Sequence, residues 1–220
     1  KDALDIEPVD ANYVSAIGSM RSSLLQLLKL RAALRQEAPM FPVVAAGDPE
    51  RTQDEIDSIL AAHDSFVRKV STLSPMLVDV MSTLVRSCSI SDVQDPLVRE
   101  GMPVLATQLL LREQGTMAAV LEIHHAVFVT HNIPVWSIER GRLGLPFFKF
   151  LQLSYRMLKA IVKDNPENKV ALAPHSKAIQ MRLGSSLKAI TTLQELFCEN
   201  PRLLKTTVDQ EMVVKIISLT

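Results

Sequence analysis

Hydrophobic residues along this chain return at steps of three and four, the spacing that lines one face of a helix. Tyr13, Val14, Ile17, Met20, Leu24, Leu27, Leu28 and Leu34 set the pattern from Asp10, a side chain able to cap a helix start, to about Gln36. Pro39 to Gly47 should break it, because proline cannot continue a helix and glycine tolerates turns. Asp48-Pro49 then reads as a cap followed by proline at the first helical position. A second helix is expected through Ile56, Ile59, Leu60, Phe66, Val67 and Val70, with Ser74-Pro75 starting a third through Met76, Leu77, Val80, Leu84 and Val85. Asp95-Pro96 predicts a fourth, bent by Pro103, and Gly115 separates it from a fifth carrying Val120, Leu121, Ile123, Val127 and Phe128.

Residues 131–146 hold Pro134, Gly141, Gly144 and Pro146, the densest group of helix breakers, and read as a linker. Beyond it the pattern predicts helices from about Phe147 to Lys163, from Asn165-Pro166, around His175 to Leu183 and from Ser185 to Glu199. A last helix should follow Thr207-Val208-Asp209-Gln210, a Thr-x-x-Gln capping box. The expectation is an all-α chain of roughly eight to ten helices, paired and stacked as an armadillo-like helical solenoid. It divides into a helical block at 1–130, the linker at 131–146 and a second block at 147–220. A closed bundle is the alternative, since no exact repeat is visible.

Composition supports this class. Hydrophobic residues are 47% of the 220 but aromatics only 5%, so Leu, Val, Ile, Ala and Met must fill the core, and strand formers are too sparse for a sheet. Basic and acidic residues balance at 24 each, which removes the overall charge expected of a nucleic-acid or anionic-membrane binder, though not a local basic patch. Polar residues interrupt every apolar run before the roughly 18 positions that a membrane helix requires. Lys1 at one end and the apolar Val213, Val214, Ile216 and Ile217 at the other suggest a piece of a longer protein.

Candidate chemistry is thin. His124 and His125 diverge by about 100° on a helix, no HExxH occurs, and His124 and His131 share a face only if the helix runs past Thr130. These histidines are expected at the surface or hydrogen-bonded in the core. Asp54, Glu55 and Asp57 lack the order of a calcium loop and suit the N-terminal half of a helix. Cys88 and Cys198 stand in no nucleophile motif or CxxC pair, and both are expected in packed helix faces. The runs Leu24 to Leu30 and Leu109 to Leu111 are expected to fill the core rather than dock a partner helix. No catalytic, cofactor-binding or metal-ligating residue is assigned, and the segment is not expected to be an enzyme.

The C-terminal third carries a recognisable order of motifs. Leu153-Ser154-Tyr155-Arg156-Met157-Leu158 precedes Asn165-x-x-Asn168, Leu172 and His175, and then Leu196-Phe197-x-x-Asn200-x-x-Leu203-Leu204. This series resembles the RIH domain of inositol trisphosphate and ryanodine receptors. Asp95-Pro96-Leu97-Val98, Leu105, Leu109, Leu110 and Val120-Leu121 are similar to the helical segment preceding one RIH copy, so the resemblance covers about residues 95–219. Physically, Asn165 and Asn200 read as helix caps, and Phe197 and Leu203 as core anchors.

The resemblance implies a cytosolic part of a homotetrameric calcium-release channel on the endoplasmic reticulum, coupling the ligand-sensing end to the pore. Its partners would be other domains and subunits of that channel. The ligand-binding RIH copy has a Tyr-Arg-Lys cluster before the second Asn, where this chain has Asn165, Pro166 and Glu167. Two cations fewer and one anion more point away from the inositol phosphate site. The linker is also shorter than the inositol trisphosphate receptors have nearby, which leaves the subfamily open. Two other readings stand beside this one: an armadillo-like adaptor holding a helical peptide in a concave groove, and a helical accessory domain of an enzyme.

Overall fold

A computed structural model of the chain describes residues 11–36, 53–131, 133, 135, 138 and 144–218. The expected cap at Asp10, the Pro39–Gly47 loop, the Asp48-Pro49 start and much of 131–146 lie outside the described residues.

Helix α1 (Ala11–Gln36) buries Met20, Leu27, Leu30 and Leu34 on one stripe. Helix α2 runs unbroken over Gln53–Ser87 with Pro75 inside it, so Ser74 does not start a new helix. The physical reason is the burial pattern. Val67, Val70, Ser74, Leu77, Met81, Leu84 and Val85 form one continuous buried stripe across the proline. The Ser74 hydroxyl turns back to the Val70 carbonyl instead of capping forward. Packing along that stripe outweighs the ~3 kcal/mol or more that an internal proline costs.

A small hairpin follows in place of the expected fourth helix start. Strands β1 (Ser89–Ile90) and β2 (Met102–Pro103) pair antiparallel, with Ser89 opposite Pro103 and Ile90 opposite Met102. Pro103 therefore lies in the ladder rather than bending a helix. Asp95 accepts from the Leu97 N–H at 3.0 Å, which closes an Asx turn rather than a helix cap. Gly101 is required here, since a Cβ would come within 2.1 Å of the Ile90 carbonyl oxygen.

Helix α3 (Leu105–Glu113) ends before Gly115, whose φ of 76° makes the expected break. Helix α4 (Thr116–His125) continues into a π-helical turn at Ala126–Thr130. Helix α5 (Gly144–Val162) is the central element, burying eleven residues including Phe147, Phe150, Tyr155 and Ile161. Next come α6 (Pro166–Leu172), a single 3-10 turn (Ala173–His175) and α7 (Ser176–Gln180). The chain then forms α8 (Ala189–Phe197), α9 (Pro201–Thr207) and α10 (Gln210–Ile217).

The capping expectations divide. Asn165 and Asn200 each accept from the N–H three residues on, at 3.0 and 2.9 Å. The box expected from Thr207 does not form. Thr207 is the last residue of α9, and Asp209 caps α10 by accepting from the Met212 N–H at 2.8 Å.

The chain is all-α apart from the short hairpin. Sequence-adjacent helices pair, α1 with α2, α3 with α4, α5 with α6 and α7 with α8, while α5 also packs on α2, α3, α4 and α8. One hydrophobic cluster runs from Met20 to Leu196 and includes Ile133 and Ile138. Among the described residues, no helix is long and apolar enough to cross a membrane.

Candidate functional site: polar joints on helix α5

Helix α5 carries Arg156, Lys159 and Lys163 at and just beyond its C-terminal half, spaced to share a face. All three reach the hairpin loop. Arg156 Nη2 and Lys159 Nζ both stand 2.7 Å from Glu100 Oε1, and Lys163 Nζ is 3.6 Å from Oε2. Lys163 also donates to the Gly101 carbonyl at 2.9 Å and Arg156 to that of Arg99. Arg99 braces the loop from inside, donating to the Ser89 carbonyl at 2.8 Å and to Val93 O. Partial burial alone would raise the Glu100 pKa. Hydrogen bonds from Lys159 and Arg156, with their charges, more than offset this and hold the carboxyl below its usual range.

A second joint closes the end of α5. The buried Gln108 of α3 donates its amide to the Ala160 and Lys163 carbonyls at 2.8 and 2.9 Å. Its Oε1 accepts from Asn165 Nδ2 at 3.0 Å. Asn168, buried on α6, donates to the Ile161 carbonyl at 2.7 Å. Two helices, α3 and α6, thus satisfy carbonyls that the end of α5 leaves open. The Arg112–Glu167 ion pair at 2.9 Å lies at the rim.

Magnitudes rank the two joints. Glu100 is 54% exposed, and exposed ion pairs contribute about 0–1 kcal/mol each. A buried group left without its hydrogen bond costs ~1–3 kcal/mol. Gln108 therefore fixes the geometry, while the Glu100 cluster tunes it.

A third cluster lies between α4, α5 and α7. His124 is buried, with Nε2 against Ser154 Oγ and its ring edge-on to Tyr155 at 4.5 Å and to Phe128 at 5.8 Å. Burial holds its pKa down to about 3, helped by the charge of Arg182. Arg182 stacks on Phe128, with Cζ 4.3 Å from the ring centroid.

The residues singled out in the sequence are scattered rather than gathered. His131 is buried and its Nε2 meets the Leu34 carbonyl at 2.9 Å, whereas His125 and His175 are exposed. The helix does extend to Thr130, but in π form, and ends before His131. Asp54 and Glu55 are exposed in the first turn of α2. Cys88 is buried and its thiol is pushed up to about 12 by burial, but Cys198 is exposed rather than packed as expected. Leu27, Leu30 and Leu111 fill the core while Leu25 and Leu109 face outward. Phe197 and Leu203 are half-buried against the core. Among the described residues, no group of three or more His, Cys, Asp or Glu side chains is placed to hold a metal.

Sequence reasoning missed Glu100, Gln108 and Arg182. The spacing of Arg156, Lys159 and Lys163 was a legible sign of a basic stripe, and a lone acid near it the natural partner. Nothing local marks Gln108, whose partners lie more than fifty residues away.

Comparison with known proteins agrees with this architecture. The family model described as the RIH domain, of ryanodine and inositol trisphosphate receptors, matches residues 74–220, about two thirds of the chain. No curated protein matches the chain.

Proposed function

Because this chain belongs to the RIH-domain family of ryanodine and inositol trisphosphate receptors, we propose that it is a structural and allosteric-coupling segment of a ligand-gated intracellular calcium-release channel. It would lie on the cytosolic face of the endoplasmic reticulum, within a homotetramer, without itself forming the inositol phosphate site.

The observation that carries the coupling role is the pair of joints on α5. Glu100 and Gln108 belong to the block at 1–130, and Arg156 to Lys163 belong to the block at 147–220. A displacement of the hairpin and α3 must therefore be passed to α5 or break these contacts. Packed helices joined by discrete polar contacts shift as rigid bodies between alternative arrangements. The non-ligand reading is supported by Glu167, which lies where the family's ligand-binding copy has a cation and here pairs with Arg112.

The test is Glu100→Lys in the full-length parent channel, with calcium release from endoplasmic reticulum vesicles measured against activating ligand. A changed half-maximal ligand concentration with normal subunit assembly is expected. An unaltered response would count against coupling through this joint. Calorimetric titration of the 220-residue chain with inositol trisphosphate should give no binding heat, and micromolar affinity would overturn the non-ligand assignment.

The adaptor reading has one observation of its own. An open groove of about 660 Å³ lies beside Pro75, Val78, Leu97, Leu145 and Phe148, the kind of apolar trough that takes a peptide helix. A catalytic or adaptor architecture in the parent chain, in place of a membrane pore, would favour it over the channel role.

A further inference from the structure

The cluster around His124 lines a partly open cavity of about 80 Å³ whose walls include Leu121, Phe128, Tyr155, Ile179 and Arg182. This is about half the roughly 150 Å³ of a cavity that encloses a benzene ring, so a bound ring would stand partly in its open side, and it is well short of the roughly 300–1,000 Å³ of pockets that hold drug-sized ligands. Its wall is apolar and aromatic. It also carries one guanidinium and three imidazoles, those of His124, His125 and His175, and no carboxylate.

Arg182 is the informative residue. Its guanidinium is half-buried over Phe128, and no carboxylate among the described residues pairs with it. Partial burial strips the guanidinium of some of its water, and among the described residues the Phe128 ring is the group that offsets this, which leaves the guanidinium able to take an anion. The position is also well held. The Arg182 N–H donates to the Ile179 carbonyl at 3.0 Å, and the Arg182 carbonyl accepts from the Ser185 hydroxyl at 2.6 Å. Phe128 is presented by the π-helical turn at Ala126–Thr130, and single π turns inside helices occur frequently at functional sites.

We propose that this cavity binds a small organic anion, a carboxylate on a flat apolar body. The carboxylate pairs with Arg182 and the body packs among Phe128, Tyr155 and Ile179. A planar guanidinium matches a carboxylate in two parallel hydrogen bonds, which a neutral amide cannot reproduce. Occupancy would tie the π-helical turn after α4 to the segment after α7, which already meet here through Arg182 on Phe128.

The experiment is an NMR titration of the 220-residue chain with benzoate as probe and benzamide as its neutral, equally shaped counterpart. Saturable shifts at Phe128, Tyr155 and Ile179 are expected with benzoate, at least tenfold weaker with benzamide. Arg182→Gln should lose at least tenfold in benzoate affinity, and Arg182→Lys should recover part of it. Equal binding of benzoate and benzamide to the unmodified chain, or no saturable shift with millimolar benzoate, overturns the proposal. That comparison needs no variant to fold.

Discussion

His124 on α4 donates its Nε2 proton to the hydroxyl of Ser154 on α5. The direction is fixed because Ser154 has one proton and gives it to the Leu151 carbonyl at 2.7 Å. The imidazole therefore carries a proton on Nε2, and burial, which holds its pKa down to about 3, keeps it neutral, since a second proton would place a charge inside a buried aromatic cluster.

This sets a pH dependence with a definite sign. The His124 pKa is held at about 3 in the folded chain, by burial first and then by Arg182, against 6.5 for an ordinary histidine. The unfolded chain therefore binds one more proton between these values. The stabilisation is fully present above pH 6.5 and is lost as pH falls toward 3, at up to about 1.4 kcal/mol per pH unit. Urea unfolding of the chain and of His124→Leu between pH 7 and 4 checks this. The variant should show the flatter profile, whatever its absolute stability, and parallel profiles would exclude His124 as the source.

Thiol reactivity should separate the two cysteines. Cys88 is fully enclosed and its pKa is raised to about 12, so almost no thiolate exists at pH 8, whereas Cys198 is exposed. Ellman's reagent should titrate one thiol in the folded chain and the second only in denaturant. Equal rates for both thiols would contradict the burial of Cys88.

Among the described residues the sequence announces a helix start in the same way at four places, an Asp, Asn or Ser before a proline, and only two of them obey. At Asn165 and Asn200 the side chain reaches the N–H three residues on and the helix begins. At Asp95 the carboxylate finds the N–H two residues on and closes a turn. At Ser74 the apolar stripe continues on both sides and the hydroxyl bonds backwards, so the helix never stops. Local grammar is thus legible, but which of its alternatives wins depends on packing against α5, which no short window contains. The same reason hid the joints. The periodicity placed Leu77 and Val120 on apolar helix faces, and both are buried, while nothing in it distinguished Gln108 until α3, α5 and α6 met around that side chain.

Glu100→Gln should weaken the hairpin's hold on α5 modestly, because the carboxylate is more than half exposed. A loss of about 0.5–1 kcal/mol is expected at low salt, shrinking toward zero near 1 M salt as screening removes the attraction. The lowered Glu100 pKa adds a second signature. Its stabilisation is present above the ordinary glutamate range and disappears as pH falls through the lowered folded-state value. Denaturation at two salt concentrations measures the effect, and a salt-independent difference would show that the loop is held by something other than these charges.

Gln108→Ala should cost more than Glu100→Gln even though it removes no charge. The side chain is fully buried, and its loss leaves the Ala160 and Lys163 carbonyls and Asn165 Nδ2 without their partner. Stranded groups of this kind cost ~1–3 kcal/mol, against about 1 kcal/mol for the exposed carboxylate. Asn165→Ala removes the α6 cap as well as the contact to Gln108, for a loss of about 0.5–2 kcal/mol. Because the two amides touch, the double variant should lose less than the sum of the singles by roughly 0.5–1.5 kcal/mol. Gln108→Ala with Asn200→Ala should instead be additive, since Asn200 caps α9 through a separate contact with Leu203. Urea denaturation of the three single and two double variants decides between these outcomes. Additivity in the Gln108–Asn165 pair would mean that the α3 contact and the α6 cap act independently, and that the end of α5 is not held by a connected network.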